Sequence, residues 1–437
     1  MVTGRRGGRY DGLVHGFIDM VAMSPAAEAA MADPWPGSGS CCTGSLAVMD
    51  LSLSPEESEI RDWVRTFVTK EILPLEQTVL ERERRNERGL TLDEVRALQA
   101  KARESGFFGV QTPEEYGGMG LGAVMAALIE VELGRSFVQF RFGGEADNIL
   151  FHANEEQRAA YLVPTIEGEK ISCFAITEPG AGSDARNLRT TAVRDGDEWV
   201  INGEKTFITG GDVADFCMVF AVTDKEKGAN GGVTCFLADR EAGWTSAEIP
   251  TMGQWGPASL SFQDVRVPHS AILGEEGRGF ELAMKWIGKG RYLLPARALG
   301  ACERLVEMGM DHARNRVTFG APIAERQAIQ WMIADSAVEI EALRWLVLQA
   351  AWLVDQGVDS RQAQSMAKLY GGVKANEIVD RVLQMHGGMG YTRELPVERW
   401  YRELRVLRIY EGTDEIQRRT IARNLLAGHA SIRGHLG

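Results

Sequence analysis

Near the C-terminus, "RIYEGTDEIQRR" sets an acid, Glu411, between an aromatic ring, Tyr410, and the pair Gly412-Thr413. A carboxylate in that setting has two readings. In the first turn of the helix that follows, it is a solvated charge favoured by the helix dipole. Buried against the ring, it loses water, its pKa rises, and it becomes a base able to take a proton. Three further stretches carry groups suited to holding a ligand. "AITEPGAGSDA" gathers Thr177, Gly180, Gly182 and Ser183 after a strand-like run. Glycines let peptide N–H groups approach a ligand closely and hydroxyls add donors, although the same residues also suit a plain turn. The loop is not GxGxxG and no βαβ unit surrounds it, so the dinucleotide-fold reading fails. "VINGEKTFITGG" reads as a β-hairpin through Asn202-Gly203. Phe207 and Thr209 then share one strand face, which suits the edge of a planar ring system. "QMHGGMGY" ends a helix at Gly387-Gly388, either as a simple C-cap or as exposed amides for a nucleotide. His386, alone on that helix end, reads as structural.

The elements that must position these residues follow from periodicity. Ser54-Pro55 with Glu57 gives an N-cap, an N1 proline and a capping box. Ile60, Trp63, Val64, Phe67, Val68 and Ile72 follow at helical spacing. Further helices start at Thr91 and over "AVMAALIEVELGR", and a short one is broken at Pro164. At Lys170 the period changes to short β-rich runs separated by Asp-Gly and Asn-Gly, which argues for a β-barrel or sandwich. From Gly277 the helical period returns in four long helices with short links, a four-helix bundle. The expected class is α+β multidomain, with an extension at 1–48, an N-terminal helical domain at 49–168, a β-barrel at 169–270 and a C-terminal four-helix bundle at 271–437.

Composition excludes several function classes. The net charge of −13 argues against nucleic acid or an anionic membrane surface as the main partner. No apolar run approaches the ~20 residues of a membrane span. The six cysteines show no CxxC or Cys/His ligand spacing, so reduced core thiols are expected and no metal site. Residues 1–48 are rich in Gly, Pro and Ser and read as disordered and non-essential. Arg5-Arg6 suggest an export signal, but Asp11, His15 and Asp19 interrupt its apolar region. A cytoplasmic protein is expected.

Seven stretches taken in order resemble the acyl-CoA dehydrogenase family of flavoproteins: "PEEYGGMGLG", "AITEPGAGSDA", "VINGEKTFITGG", "FQDVRVP", "RVTFGAPIAERQAI", "QMHGGMGYTRELPVERWYRE" and "RIYEGTDEIQ". The resemblance spans about residues 53–428 and implies the same three-part fold. It also implies FAD as cofactor and oxidation of an acyl-CoA thioester to the trans-2-enoyl-CoA. Phe174, Ile176 and Thr177 would then line the flavin. Gly182 would approach the pyrophosphate, and Ser183 would contact phosphates or the CoA arm. Phe207 and Thr209 would meet the ring from the other side. Arg316, Thr318, Phe319 and Gln327, with Gln384, Gly387 and Gly388, resemble residues that reach the FAD of a neighbouring subunit in a homotetramer. Thr413 and Glu415 would touch the adenosine diphosphate portion, and Tyr410 and Gly412 would flank the substrate.

Glu411 matches the family's base, and its own N–H would serve the thioester oxygen. Some members carry the base just before the arginine of "GKGR", where this chain has Gly290. Arg291 matches an arginine that bonds pantetheine, although Gly288 stands where many members have an acid. Electrons would pass to an electron-transfer flavoprotein. An acyl-CoA oxidase or flavin monooxygenase of the same fold, and a non-catalytic acyl-CoA-binding protein, are the competing readings.

Overall fold

The computed structural model describes residues 52–253 and 256–432; the 1–48 extension lies outside the described residues. Helix α1, Pro55–Phe67, opens with the expected capping box: Glu57 N–H donates to Ser54 Oγ at 3.1 Å and Ser54 N–H donates to Glu57 at 2.8 Å. Helices α2, Glu76–Arg84, α3, Leu92–Glu104, and α4, Ala123–Gly134, complete the N-terminal helical part. Thr91 caps α3 with its own reciprocal box. No side chain of its own segment caps α4. Instead Asp355, far along the chain, accepts from Ala123 N–H at 2.5 Å and Val124 N–H at 2.9 Å.

Seven strands follow: β1 Ser172–Ala175, β2 Thr191–Asp195, β3 Glu198–Ile208, β4 Phe216–Val222, β5 Val233–Asp239, β6 Thr245–Glu248 and β7 Ala258–Pro268. They run in the order β1-β4-β2-β3-β7-β6, with β5 also paired to β4. Every residue of β4 is buried, because its alternating side chains feed two cores. Phe216, Met218 and Phe220 meet Leu150, Leu162 and Phe280, while Cys217, Val219 and Ala221 fill the sheet's other side with Trp199, Ile201 and Phe262.

The expected hairpin at Asn202-Gly203 does not form. Strand β3 runs straight through it, and the chain reverses instead at Gly196-Asp197, where Asp195 pairs with Glu198. Gly203 marks a register irregularity against β7, and a methyl group there would sit 2.7 Å from the Thr190 Cα. Glycine serves here as a site of close backbone approach, while Asn202 is held by Asp264 across the sheet.

The C-terminal part packs four helices: α5 Gly279–Asn315, α6 Gln327–Asp355, α7 Arg361–His386 and, after the short α8 Val397–Leu404, the last helix α9 Asp414–Leu426. One apolar core joins them to the N-terminal helices, from Phe67 and Phe140 through Leu299 and Leu305 to Leu343 and Val379. Contact between α4 and α5 is backbone-close: a methyl at Gly134 or Gly300 would fall 2.0 Å or 1.8 Å from a facing carbonyl oxygen. Among the described residues no helix is long and apolar enough to cross a membrane.

Candidate active site

Glu411 lies outside any helix. The 3₁₀ turn Arg405–Arg408 precedes it and α9 begins only at Asp414, with Thr413 as N-cap accepting from Ile416 N–H. The first-turn reading of Glu411 is therefore wrong. Its φ is +51°, and Gly412 follows at +95°. Five described non-glycine residues have positive φ: Asn86, Phe207, Asp264, Phe319 and Glu411. Three of them belong to the expected site, where backbone strain commonly concentrates.

The turn is held from below. Lys368 Nζ, on α7, donates to Leu407 O at 2.5 Å and to Gly412 O at 2.8 Å. Gln417 Nε2, on α9, donates to the carbonyls of Glu411 and Gly412, each at 3.2 Å. Arg408 bonds the buried Asp414 at 2.7 Å, which fixes the entry to α9.

The carboxylate itself is aimed at α5. A methyl group at Gly290 would sit 1.5 Å from Glu411 Oε2. A side chain at 290 would thus compete for the space that the Glu411 carboxylate fills, and glycine there leaves that space free. Oε2 is sealed from solvent with no hydrogen-bond partner. Burial pushes the Glu411 pKa up to about 7, with Arg141, Lys368 and Arg291 opposing that rise. Arg291, next to Gly290, has a buried Nε likewise without a partner.

The loop 176–184 is built on a buried ion pair that the motif did not reveal. Lys205 Nζ bonds Glu178 at 2.8 Å and Ile176 O at 3.2 Å; the lysine is 0% exposed. Glu178 also accepts from Arg189 N–H at 2.6 Å and Thr190 N–H at 2.9 Å. Thr177 O accepts from Thr206 N–H. With its base so pinned, the loop presents Gly180, Gly182 and Ser183 outward, and a methyl at either glycine would meet nothing. Phe207 and Thr209 are both exposed, with Ile208 buried between them; strand β3 ends at Ile208, so Thr209 lies in the turn that follows rather than on the strand.

Helix α5 links this loop to Glu411. Phe174, on β1, stacks on Trp286 at 4.0 Å and 6° between planes. Trp286 lies four residues, about 6 Å of helix, before Gly290. Trp286 Nε1 is anchored on Asp147 at 2.6 Å.

The remaining expected ligand residues lie elsewhere on the chain. Arg316, Thr318 and Phe319 sit on the small hairpin after α5, Gln327 at the start of α6, and Gln384, Gly387 and Gly388 at the end of α7. His386 stacks on His312 at 4.4 Å, so these two helix ends adjoin. His386 is buried and bonds Val382 O through Nδ1, a structural role. The 26 residues of helix from Gly290 to Arg316 span about 39 Å. This second group therefore lies far from Glu411 of its own chain. Thr413 and Glu415 stay beside Glu411 at the start of α9.

An unpartnered carboxylate, an unpartnered guanidinium, an open glycine loop and an exposed Phe207 with positive φ fit a planar, phosphate-bearing cofactor beside Glu411. Lys368, Lys205, Glu178 and Trp286 escaped sequence reasoning. The only signal for Lys368 is its place among Gln364, Gly371, Gly372 and Ala375, on the inward face of α7.

Three family profiles match the chain: acyl-CoA dehydrogenase N-terminal domain at 54–169, middle domain at 173–265 and C-terminal domain at 277–426. The 3-(aryl)acrylate reductase of Clostridium sporogenes is 39% identical over 377 residues, 84% of this chain and 97% of that protein. The (R)-benzylsuccinyl-CoA dehydrogenase of Thauera aromatica is 38% identical over 395 residues, covering 86% and 97%. Among solved structures, butyryl-CoA dehydrogenase from Megasphaera elsdenii superposes with a TM-score of 0.77 at 32% identity, covering 86% of this chain and all of that one. On these matches, the chain belongs to the acyl-CoA dehydrogenase family of FAD-dependent oxidoreductases.

Proposed function

We propose that this protein removes hydrogen from the Cα–Cβ bond of an acyl-CoA thioester, with Glu411 taking the α-proton. The observation that carries the reading is the Glu411 carboxylate: its Oε2 is buried, it has no hydrogen-bond partner, and burial pushes its pKa up to about 7 from 4.5. A carbon acid needs a desolvated base that is still ionised near neutral pH, and this environment supplies one. FAD, when bound, supplies the hydride acceptor, and the 176–184 loop with Phe207 and Thr209 would hold it. Glu411 also lies outside the hydrogen-bond ladders of the turn before it and the helix after it. That leaves its N–H suited to bonding the thioester oxygen as charge develops there. Arg291 would meet the CoA arm. Product electrons would go to an electron-transfer flavoprotein.

A homotetramer fits the second group of ligand residues. Phe319 is 100% exposed at φ +52°, and Trp331 and Tyr391 are also largely exposed. The hairpin that carries Phe319 lies about 39 Å along α5 from Gly290, and exposed rings at that end of the helix suit the FAD of a neighbouring copy.

The test is anaerobic mixing of holoenzyme with acyl-CoA thioesters of graded chain length, following flavin absorbance. Bleaching supports the reading, and its absence with every thioester despite bound FAD refutes it. Rapid reoxidation by air would favour an oxidase. Glu411→Gln should keep FAD and acyl-CoA and lose bleaching. A variant that bleaches at the wild-type rate would exclude Glu411 as the base.

A further inference from the structure

We infer that Lys368 is a positioning residue for Glu411: from α7 its ammonium clamps both ends of the strained turn and places a positive charge behind the carboxylate. The inference rests on the reading of Glu411 as the base. The geometry is specific. Lys368 is 2% exposed, and two of its three donors are used on Leu407 O and Gly412 O, four residues before Glu411 and one after it. These carbonyls bracket the one stretch of the turn that has left-handed φ. Gln417 bonds the same strained turn from α9 but brings no charge.

A lysine is costly to bury, so an apolar or amide side chain would serve better if only packing were needed. The groups around the pair are few. Glu411 is faced by Arg291 on α5, Lys368 on α7 and Arg141 on the loop after α4, with Tyr410 beside it. Lys368 is faced by Asp414, Glu411 and Glu415, and by Arg291. Burial draws the lysine down to about 8, and those acids hold it up. It is therefore mostly charged where Glu411 titrates, and the two titrations are coupled. The arrangement limits how far burial raises the base: Glu411 is ionised near neutral pH, and its carboxylate is held against Gly290.

The experiment compares Lys368→Met, Lys368→Gln and Lys368→Arg holoenzymes. The first readout is the pH profile of anaerobic flavin bleaching. The second is hydrogen–deuterium exchange of peptides covering 405–413. Removing the charge, in Met and in Gln, should move the acidic midpoint of bleaching to higher pH. The Met variant should also exchange faster over 405–413 and bleach on the order of 10²-fold slower, the scale of a misplaced catalytic group. The Gln variant, with a shorter side chain that keeps two N–H donors but no charge, should recover part of the rate but not the midpoint, and Arg should keep the wild-type midpoint. An unchanged midpoint in both Met and Gln overturns the inference whatever happens to the rate. Should Met fail to fold, Gln against Arg decides. Exchange over 405–413 reports the clamp without any reaction, so its result stands apart from a failure of Glu411 as the base.

Discussion

Gly290→Ala should slow the enzyme without loosening the protein. The added methyl would sit 1.5 Å from Glu411 Oε2, 2.3 Å from its carboxyl carbon and 2.7 Å from Oε1. Ordinary contact begins near 3.4 Å, so the carboxylate must withdraw by roughly 2 Å. Misplacing a reacting group by even about 1 Å costs on the order of 10²-fold in rate, or about 2.7 kcal/mol of barrier. The helix should respond in the opposite sense, since alanine in a helix interior is favoured over glycine by roughly 0.5–1 kcal/mol. Anaerobic stopped-flow bleaching by acyl-CoA, beside thermal unfolding and FAD content, separates the two effects. The expected result is bleaching at least about 10²-fold slower, with an unchanged or higher melting temperature and full FAD. Pairing Gly290→Ala with Glu411→Asp shortens the acid by one methylene and should recover part of the loss. Wild-type bleaching in Gly290→Ala would refute the idea that glycine at 290 keeps the space for the base.

Two further outcomes follow from buried charge. Glu411 titrates at about 7 when folded against 4.5 ordinarily, so between those values the folded chain holds a proton that the unfolded chain has released. Stability should therefore fall as pH rises through that window, by about 3 kcal/mol in all, and level off above it. Denaturant unfolding should show Glu411→Gln gaining on wild type up to about pH 7 and holding that gain above it, and equal pH slopes for the two would contradict this. Lys205→Met leaves Glu178 buried without its cation. It should cost about 3–5 kcal/mol in urea unfolding, partly recovered by adding Glu178→Gln. A Lys205→Met protein as stable as wild type would show that the ion pair does not hold the 176–184 loop.

Periodicity carried the fold: runs of apolar residues at helical spacing, then at strand spacing, then helical again, are set by local geometry and survive into the tertiary structure. Turn chemistry carried less. Asn202-Gly203 has the residues of a hairpin, but Gly196-Asp197 lies earlier and closes β2 on β3, so Gly203 is used for close approach to Thr190. Lys368 and Lys205 escape a reading of the sequence because burial is a property of the partner element. That partner is the turn near 411 for one and the loop at 178 for the other. Glu411 shows the division most clearly. Its residue type and its neighbours in "YEGT" determined that a base was possible. The surroundings that the proposed base requires depended on a positive φ, on a glycine 121 positions earlier in α5 and on a lysine 43 positions earlier in α7. Desolvation and strain arise only when distant segments close around a residue, so spacing alone could not choose between a solvated charge and a buried base.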